Sequence, residues 1–285
     1  MGSGLIIKAG SLTLIQDLGR KGSAYYAIPC SGVMDKQAAS IANTLVDNPI
    51  KAPVIECTLQ GPTISFENAV SIAITGADMQ WKINEERIAL NIPHQLISGD
   101  ILSSGYARGQ LRAYIAIKGN IVSDFHFDSC ASYTSAALGH NQGQPLSKGD
   151  YIRWTTPSKT IHSNPQLADL EIPQQININK GPEFHFLTKA SSQALLQSEF
   201  KVGPDSNRMG ARLIGKKIEL SQILVDSVPV LPGFIQLPPS GQPIVVLQDG
   251  QTTGGYPRIA YLNSAELNSF NRLPIGQPFR FNLLA

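Results

Sequence analysis

Short apolar or alternating runs, each bounded by Gly, Pro or Asp, recur along this 285-residue chain and leave little room for helices. Residues 70–75, 113–117, 151–155 and 279–284 are strand-length segments of this kind. In the last of them Phe279, Phe281 and Leu283 alternate with Arg280, Asn282 and Leu284, a period of about two that suits a half-buried strand. The 25 Gly and 19 Pro of the sequence punctuate the chain too often for long helices. Three short helices are nonetheless expected. Asp35 can cap one in which Ala38, Ile41, Ala42 and Leu45 share a face. Thr188 can cap a second with Leu195 and Leu196 turned inward, and Ser264 can start a third. Many strands and few helices predict a mostly-β protein of barrel or sandwich type.

A linker is expected over residues 157–173, where Pro157, Pro165 and Pro173 stand among Ser158, Ser163 and Asn164 with little periodicity. It separates a β-rich segment, 1–156, from a second one, 174–285. Each segment places a Lys near a Gly close to its start, Lys8-Ala9-Gly10 and Lys180-Gly181-Pro182, which hints at two similar modules. Met1-Gly2-Ser3-Gly4 has the composition of an added leader. A formal charge of +2 is too small for nucleic-acid binding. No stretch has the length of a membrane span, and no basic-then-apolar secretion signal opens the chain. The three cysteines, Cys30, Cys57 and Cys130, are too few for a disulfide framework, which fits a cytoplasmic location.

The loop 247–257 is the densest concentration of ligand-binding chemistry. It follows an apolar run at 243–247 and combines Gln248, Asp249, Gln251, Thr252, Thr253, Gly254, Gly255 and Tyr256. Its glycines let backbone N–H groups approach a ligand closely, while Gln and Thr add uncharged donors and acceptors. A ureido, carboxylate or lactam group fits that set; a hairpin with a hydrophilic tip is the plainer reading. Two further clusters share its character. Gln16, Asp17 and Arg20 precede Ser31-Gly32-Val33-Met34-Asp35, and Asn207, Arg208 and Arg212 surround Gly210. Gln236 lies just upstream of the loop. Each Arg can grip a carboxylate with two hydrogen bonds, or pair internally and hold a turn closed.

Other motifs carry less. Residues 210–217 nearly spell a phosphate-binding loop, but Lys217 stands where a magnesium-holding Ser or Thr is needed. His126, Asp128, Cys130 and His140 lack the spacing of a zinc site, so no metal is expected. Cys30, in a turn before a helix, is either a thiol activated by the helix N-terminus or a small buried filler.

The order Leu12-Thr13-x-x-Gln16-Asp17-x-Gly19-Arg20, Pro29-x-Ser31-Gly32-x-Met34-Asp35, Thr75-Gly76-Ala77-Asp78, Ser206-Asn207-Arg208-Met209-Gly210, Gln236-x-Pro238-Pro239-x-Gly241 and Gln251-Thr252-Thr253-Gly254-Gly255-Tyr256-Pro257 resembles the biotin-dependent carboxyltransferase family. That family includes a module of urea carboxylase (urea amidolyase) and the stand-alone C subunit of 5-oxoprolinase, the KipA-like proteins, also described as allophanate hydrolase subunit 2. The resemblance implies two cyclophilin-like β-barrel subdomains, A over 1–156 and B over 174–285. It departs at Asp128 and Cys130, where the family has Gly and Arg, and at Gly143-Gln144 in place of a Gly-Arg pair.

The resemblance implies an ATP-dependent complex that opens 5-oxoproline to glutamate, with a KipI-like B subunit and a lactam-utilisation A subunit as partners. ATP is then used by the complex, and no cofactor is assigned to this chain. The alternative is carboxyl transfer from carboxybiotin to urea or a related amide. A third reading is a regulatory protein that antagonises a KipI-like kinase inhibitor, which loss of the Arg at Cys130 would favour. In the expected site Gln248 to Tyr256, with Gln16, Gln236 and Asn207, hold an amide. Arg208 or Arg212, with Arg20, binds a carboxylate, and Asp17, Asp35 or Asp249 accepts a proton. The polar turns at 16–20, 206–212 and 248–257 would line one cleft.

Overall fold

The structure, a computed structural model, describes residues 1–156, 170–221 and 225–284. Most of the expected linker, residues 157–169, lies outside the described residues. The chain forms two compact units: Met1–Lys21 with Ser31–Leu170, and Gly22–Cys30 with Glu171–Ala285. Nothing in the hydropathy pattern sets the short 22–30 segment apart from its neighbours.

The first unit is built from two antiparallel sheets, of seven and five strands. Gly2–Lys8 is a strand between Tyr151–Thr155 and Thr63–Phe66, with Gly2 opposite Trp154. The five-stranded sheet centres on Arg108–Ile117, flanked by Val54–Thr58 and Val70–Asp78. Ile6, Ile64, Leu102 and Trp154 of one sheet pack with Ile15, Ile55, Ile72 and Ile115 of the other in a single core. Alternation supplies the inward face of each strand, so the two sheets bury their apolar sides against each other. Helix α1 (Lys36–Leu45) covers the outer side of the five-stranded sheet with Ala38, Ala39 and Ala42 against Ala73, Tyr114 and Ala116. Asp35 caps it, accepting from the N–H groups of Gln37 (3.0 Å) and Ala38 (3.1 Å).

The second unit is a closed seven-stranded barrel. Its seam is the parallel pairing of Gln175–Lys180 with Pro278–Leu283, the alternating run at the end of the sequence. Phe279 and Phe281 point into the core, stacked edge-on at 5.1 Å. The glycine-rich octamer resembling a phosphate loop is an ordinary barrel strand, Gly210–Gly215. Helix α2 (Lys189–Gln197) is capped by Thr188 and buries Leu195, while Leu196 is only half-buried. Helix α3 (Ser264–Phe270) starts at Ser264, capped by Asn263. Glu266 of α3 ties it to the barrel by accepting from the Asn177 side chain (2.7 Å) and main-chain N–H (3.0 Å). No helix is long and apolar enough to cross a membrane among the described residues.

Glu183 and Arg258 form a two-pronged ion pair in this unit, 2.8 and 3.0 Å, with the guanidinium over the Phe234 ring. The Arg258 side-chain hydrogen bonds hold the Glu183 carboxyl below its ordinary value, against a smaller opposing effect of burial. Folding therefore favours the ionised form. The stabilisation is complete above the unfolded carboxyl value, about 4.3, and is lost as pH falls from there through the lower folded value. Glu183→Gln should lower the Tm at pH 7 and flatten the fall in Tm below about pH 4.5. Circular dichroism melts across pH check this, and an unaltered Tm–pH curve would contradict it.

Candidate functional site

In the first unit the motifs at 16–20 and 31–35 interlock. Val33 donates its N–H to the Asp17 carbonyl at 2.8 Å. Gly32 has φ +90°, and a Cβ there would lie 2.7 Å from the Gly19 nitrogen, so only Gly admits this approach. Met34 N–H donates to the buried Glu56 carboxylate (2.7 Å), and Asp35 N–H donates to the Tyr114 hydroxyl (2.8 Å). Burial, then the Glu56 charge, pushes the Tyr114 hydroxyl well above its ordinary value, so it stays protonated. Glu56 was not legible as important from the sequence: it sits in an apolar strand with no motif around it.

Asp17 is the hub of this arrangement. Its carboxylate accepts from Gly19 N–H (2.8 Å), the Ser129 hydroxyl (2.7 Å) and Cys130 N–H (2.8 Å). Gln16 is fully buried and donates to the Ser132 carbonyl at 3.0 Å, while Arg20 donates to the Ala131 carbonyl. Gln16, Asp17 and Arg20 thus all hold the segment 129–132. Cys130 packs in the core of this unit, where burial and then the Asp17 charge push its thiol up. Among the described residues, no group of three His, Cys, Asp or Glu side chains is placed to hold a metal ion.

In the second unit the clusters at 206–212 and 248–257 come together. Arg208 and Asp249 form a buried two-pronged ion pair, with Nε to Oδ2 at 2.7 Å and a second nitrogen to Oδ1 at 3.2 Å. The backbone repeats the tie, since Asp249 N–H donates to the Arg208 carbonyl and Leu247 N–H to that of Met209. Asn207 closes its own turn, accepting from Met209 and Gly210 N–H. Cys30 lies in the same unit, its sulfur 3.5 Å from the Gln248 side-chain oxygen. Helix α1 starts at Lys36 and is capped by Asp35, so Cys30 is not part of its first turn.

Strand register explains the rest. Ala211, Val245 and Ile235 face the barrel core in one row, so the adjacent row, Arg212, Ile244 and Gln236, faces outward. Arg212 is exposed there, but Gln236 is buried beneath the segment 251–255. Its Oε1 accepts from Gln251 Nε2 at 3.2 Å, and its Nε2 has no partner among the described residues. A Cβ on residue 254 would stand 2.9 Å from that nitrogen, so the glycine makes room for it. Thr253–Gly254 pairs with Val228–Pro229, Thr252 accepts from Val230 N–H, Gly255 accepts from Val225 N–H, and Tyr256 is exposed. The loop is therefore a built surface with an amide donor at its base, more than a bare hairpin tip.

The three candidate acids differ in setting. Asp35 caps a helix, Asp17 holds three donors, and Asp249 is paired with Arg208. If Asp17 is a tie, Asp17→Asn should cost about 2 kcal/mol, or about 4–8 °C in Tm, because a buried donor loses its acceptor. A melt matching the parent would contradict this assignment.

The family model described as carboxyltransferase domain, subdomain A and B, matches residues 26–283. The chain is 33% identical to the 5-oxoprolinase C subunit of Escherichia coli K12, over 97% of its length and 89% of that protein's. It is 30% identical to the 5-oxoprolinase C subunit of Haemophilus influenzae, over 98% and 91%. The crystal structure of the K. lactis urea amidolyase matches with a TM-score of 0.93 at 27% identity, covering 99% of this chain but 19% of that one. Interlocked turns, closed barrel and matched sequence agree: this chain belongs to the carboxyltransferase subdomain A and B family.

Proposed function

We propose that this chain is the C subunit of a 5-oxoprolinase-type complex, working with a KipI-like B subunit and a lactam-utilisation A subunit in the cytoplasm. Such a complex opens the lactam of 5-oxoproline to glutamate at the expense of ATP. The near full-length likeness to two 5-oxoprolinase C subunits supports the reading. The observation that carries its chemistry is the outward row Arg212, Ile244, Gln236 in the second unit.

Adjacent strands lie about 4.8 Å apart, so Arg212 and Gln236 are separated by about 10 Å across Ile244. An extended Arg side chain narrows that gap to the size of a small cyclic amino acid. In this reading Arg212 holds the substrate carboxylate by a forked pair of hydrogen bonds. The lactam carbonyl accepts from Gln236 Nε2, which has no partner among the described residues, and the lactam N–H takes the place of Gln251 at Gln236 Oε1, where the exposed Gln251 is held by one 3.2 Å bond. Exchanging one amide partner for another costs little net free energy. Thr252, Thr253 and the backbone of Gly254 and Gly255 complete a neutral surface, Gln248 is buried against Cys30, and Asn207 holds its turn.

Arg208 and Asp249 act as positioning residues here, because each already satisfies the other. Gln16, Asp17, Arg20 and Asp35 keep the first unit's turns in place. Proton and phosphoryl transfer fall to groups of the assembled complex. Arg212→Ala in the reconstituted complex should raise the apparent KM for 5-oxoproline about tenfold or more, with a smaller change in kcat. Unchanged KM would remove Arg212 from the site.

A second reading has support in the TM-score of 0.93 to a urea amidolyase: carboxyl transfer from carboxybiotin to a urea-like acceptor. The same flat amide surface would serve it, without need of Arg212. Reconstituted protein consumes either 5-oxoproline with ATP, as proposed, or urea when a carboxylated biotin carrier is supplied. Retention of partner binding with neither turnover would select the regulatory, KipA-like reading instead.

A further inference from the structure

A cavity of about 950 Å³ opens in the first unit, within the size range of small-molecule sites. Its chemistry is unlike that of the amide surface in the second unit. Phe125 and Phe127 line it and are 54% and 39% exposed, although phenylalanine is ordinarily buried. Lys21 and Lys51 line it as well. Of the two carboxylates in the wall, Asp17 is committed to three donors and Asp128 is solvent-exposed.

The backbone that presents Phe127 is strained. His126 and Ser129 exchange main-chain hydrogen bonds of 2.8 and 3.2 Å, closing a two-residue turn. Phe127 and Asp128 within it have φ of 54° and 56°. Such a turn favours Asn and Gly, whose small or locally bonding side chains accept a positive φ; a bulky aromatic does not. The fold thus keeps an unfavourable residue where its ring reaches the cavity, as binding sites do when side-chain placement outweighs backbone comfort.

We propose that this cavity binds a planar aromatic or heteroaromatic anion, its ring against Phe125 and Phe127 and its charge met by Lys21 and Lys51. The ring contributes dispersion and apolar burial, and the ammonium groups give the preference for a negative substituent. An aromatic carboxylate and a nucleoside monophosphate share this chemistry. The proposal does not depend on the lactam reading, because its test reads binding and not turnover.

Calorimetric titration of the full chain with indole-3-acetate and with AMP, beside indole and adenosine as uncharged controls, separates the sources. At least one anion should bind with a Kd below about 1 mM and more tightly than its uncharged partner. Phe127→Asn should weaken that binding about tenfold while leaving Tm equal or higher, since Asn suits the turn. Lys51→Gln should erase the preference for the anion over its control. The proposal is overturned if neither anion binds below about 1 mM, if the uncharged partner binds equally well, or if Phe127→Asn leaves affinity intact.

Discussion

The buried pairing of Arg208 with Asp249 is the constraint on which the amide surface of the second unit depends. A turn rich in Gly, Thr and Gln has little apolar area with which to hold itself against the barrel, so its placement must come from polar bonds. Two forked hydrogen bonds of 2.7 and 3.2 Å, doubled by a main-chain bond, supply that placement in a site where both side chains are about nine-tenths buried. The desolvation of two charges is costly, and their attraction roughly offsets it; the consequence is specificity of geometry more than net stability. Removing either partner alone would leave the other charged and buried, at about 3–5 kcal/mol. The first unit solves the same problem with Asp17, whose carboxylate gathers one hydroxyl and two main-chain donors.

The elements whose causes are local were legible in the sequence. Asp35 and Thr188 announced their helices because a cap acts on donors two or three residues away. The apolar or alternating runs at 70–75, 113–117 and 279–284 marked the strands Val70–Asp78, Arg108–Ile117 and Pro278–Leu283, though not their full bounds. Barrel closure was not legible from period alone, since it rests on a parallel pairing between residues 175–180 and 278–283. Nor was the membership of residues 22–30 in the second unit, which breaks the simple division of the chain at a linker.

The candidate site was legible as regions and much less as roles. The loop 247–257 and the turn 206–212 do adjoin, but Arg208 and Asp249, read as substrate clamp and proton acceptor, meet each other. Residue types alone cannot tell a side chain that waits for a ligand from one that already has a partner. Register makes the distinction for Arg212 and Gln236, because it decides which side chains share the outer face. Asp17 and Gln16 show the converse: motif residues whose work is to hold other motif residues. The turn 16–20 belongs to the first unit and the turns 206–212 and 248–257 to the second, so the polar turns expected to line one cleft are built and held by two different units.

The coupling free energy between Arg208 and Asp249 tests this account most directly. A double-mutant cycle with Arg208→Met and Asp249→Leu, followed by equilibrium denaturation, isolates it. The pair's mutual dependence predicts a coupling of about 1.5 kcal/mol or more, with the double variant less damaged than the sum of the two single ones. Strictly additive losses would mean that the two side chains do not hold each other, and the amide surface would lose its physical basis.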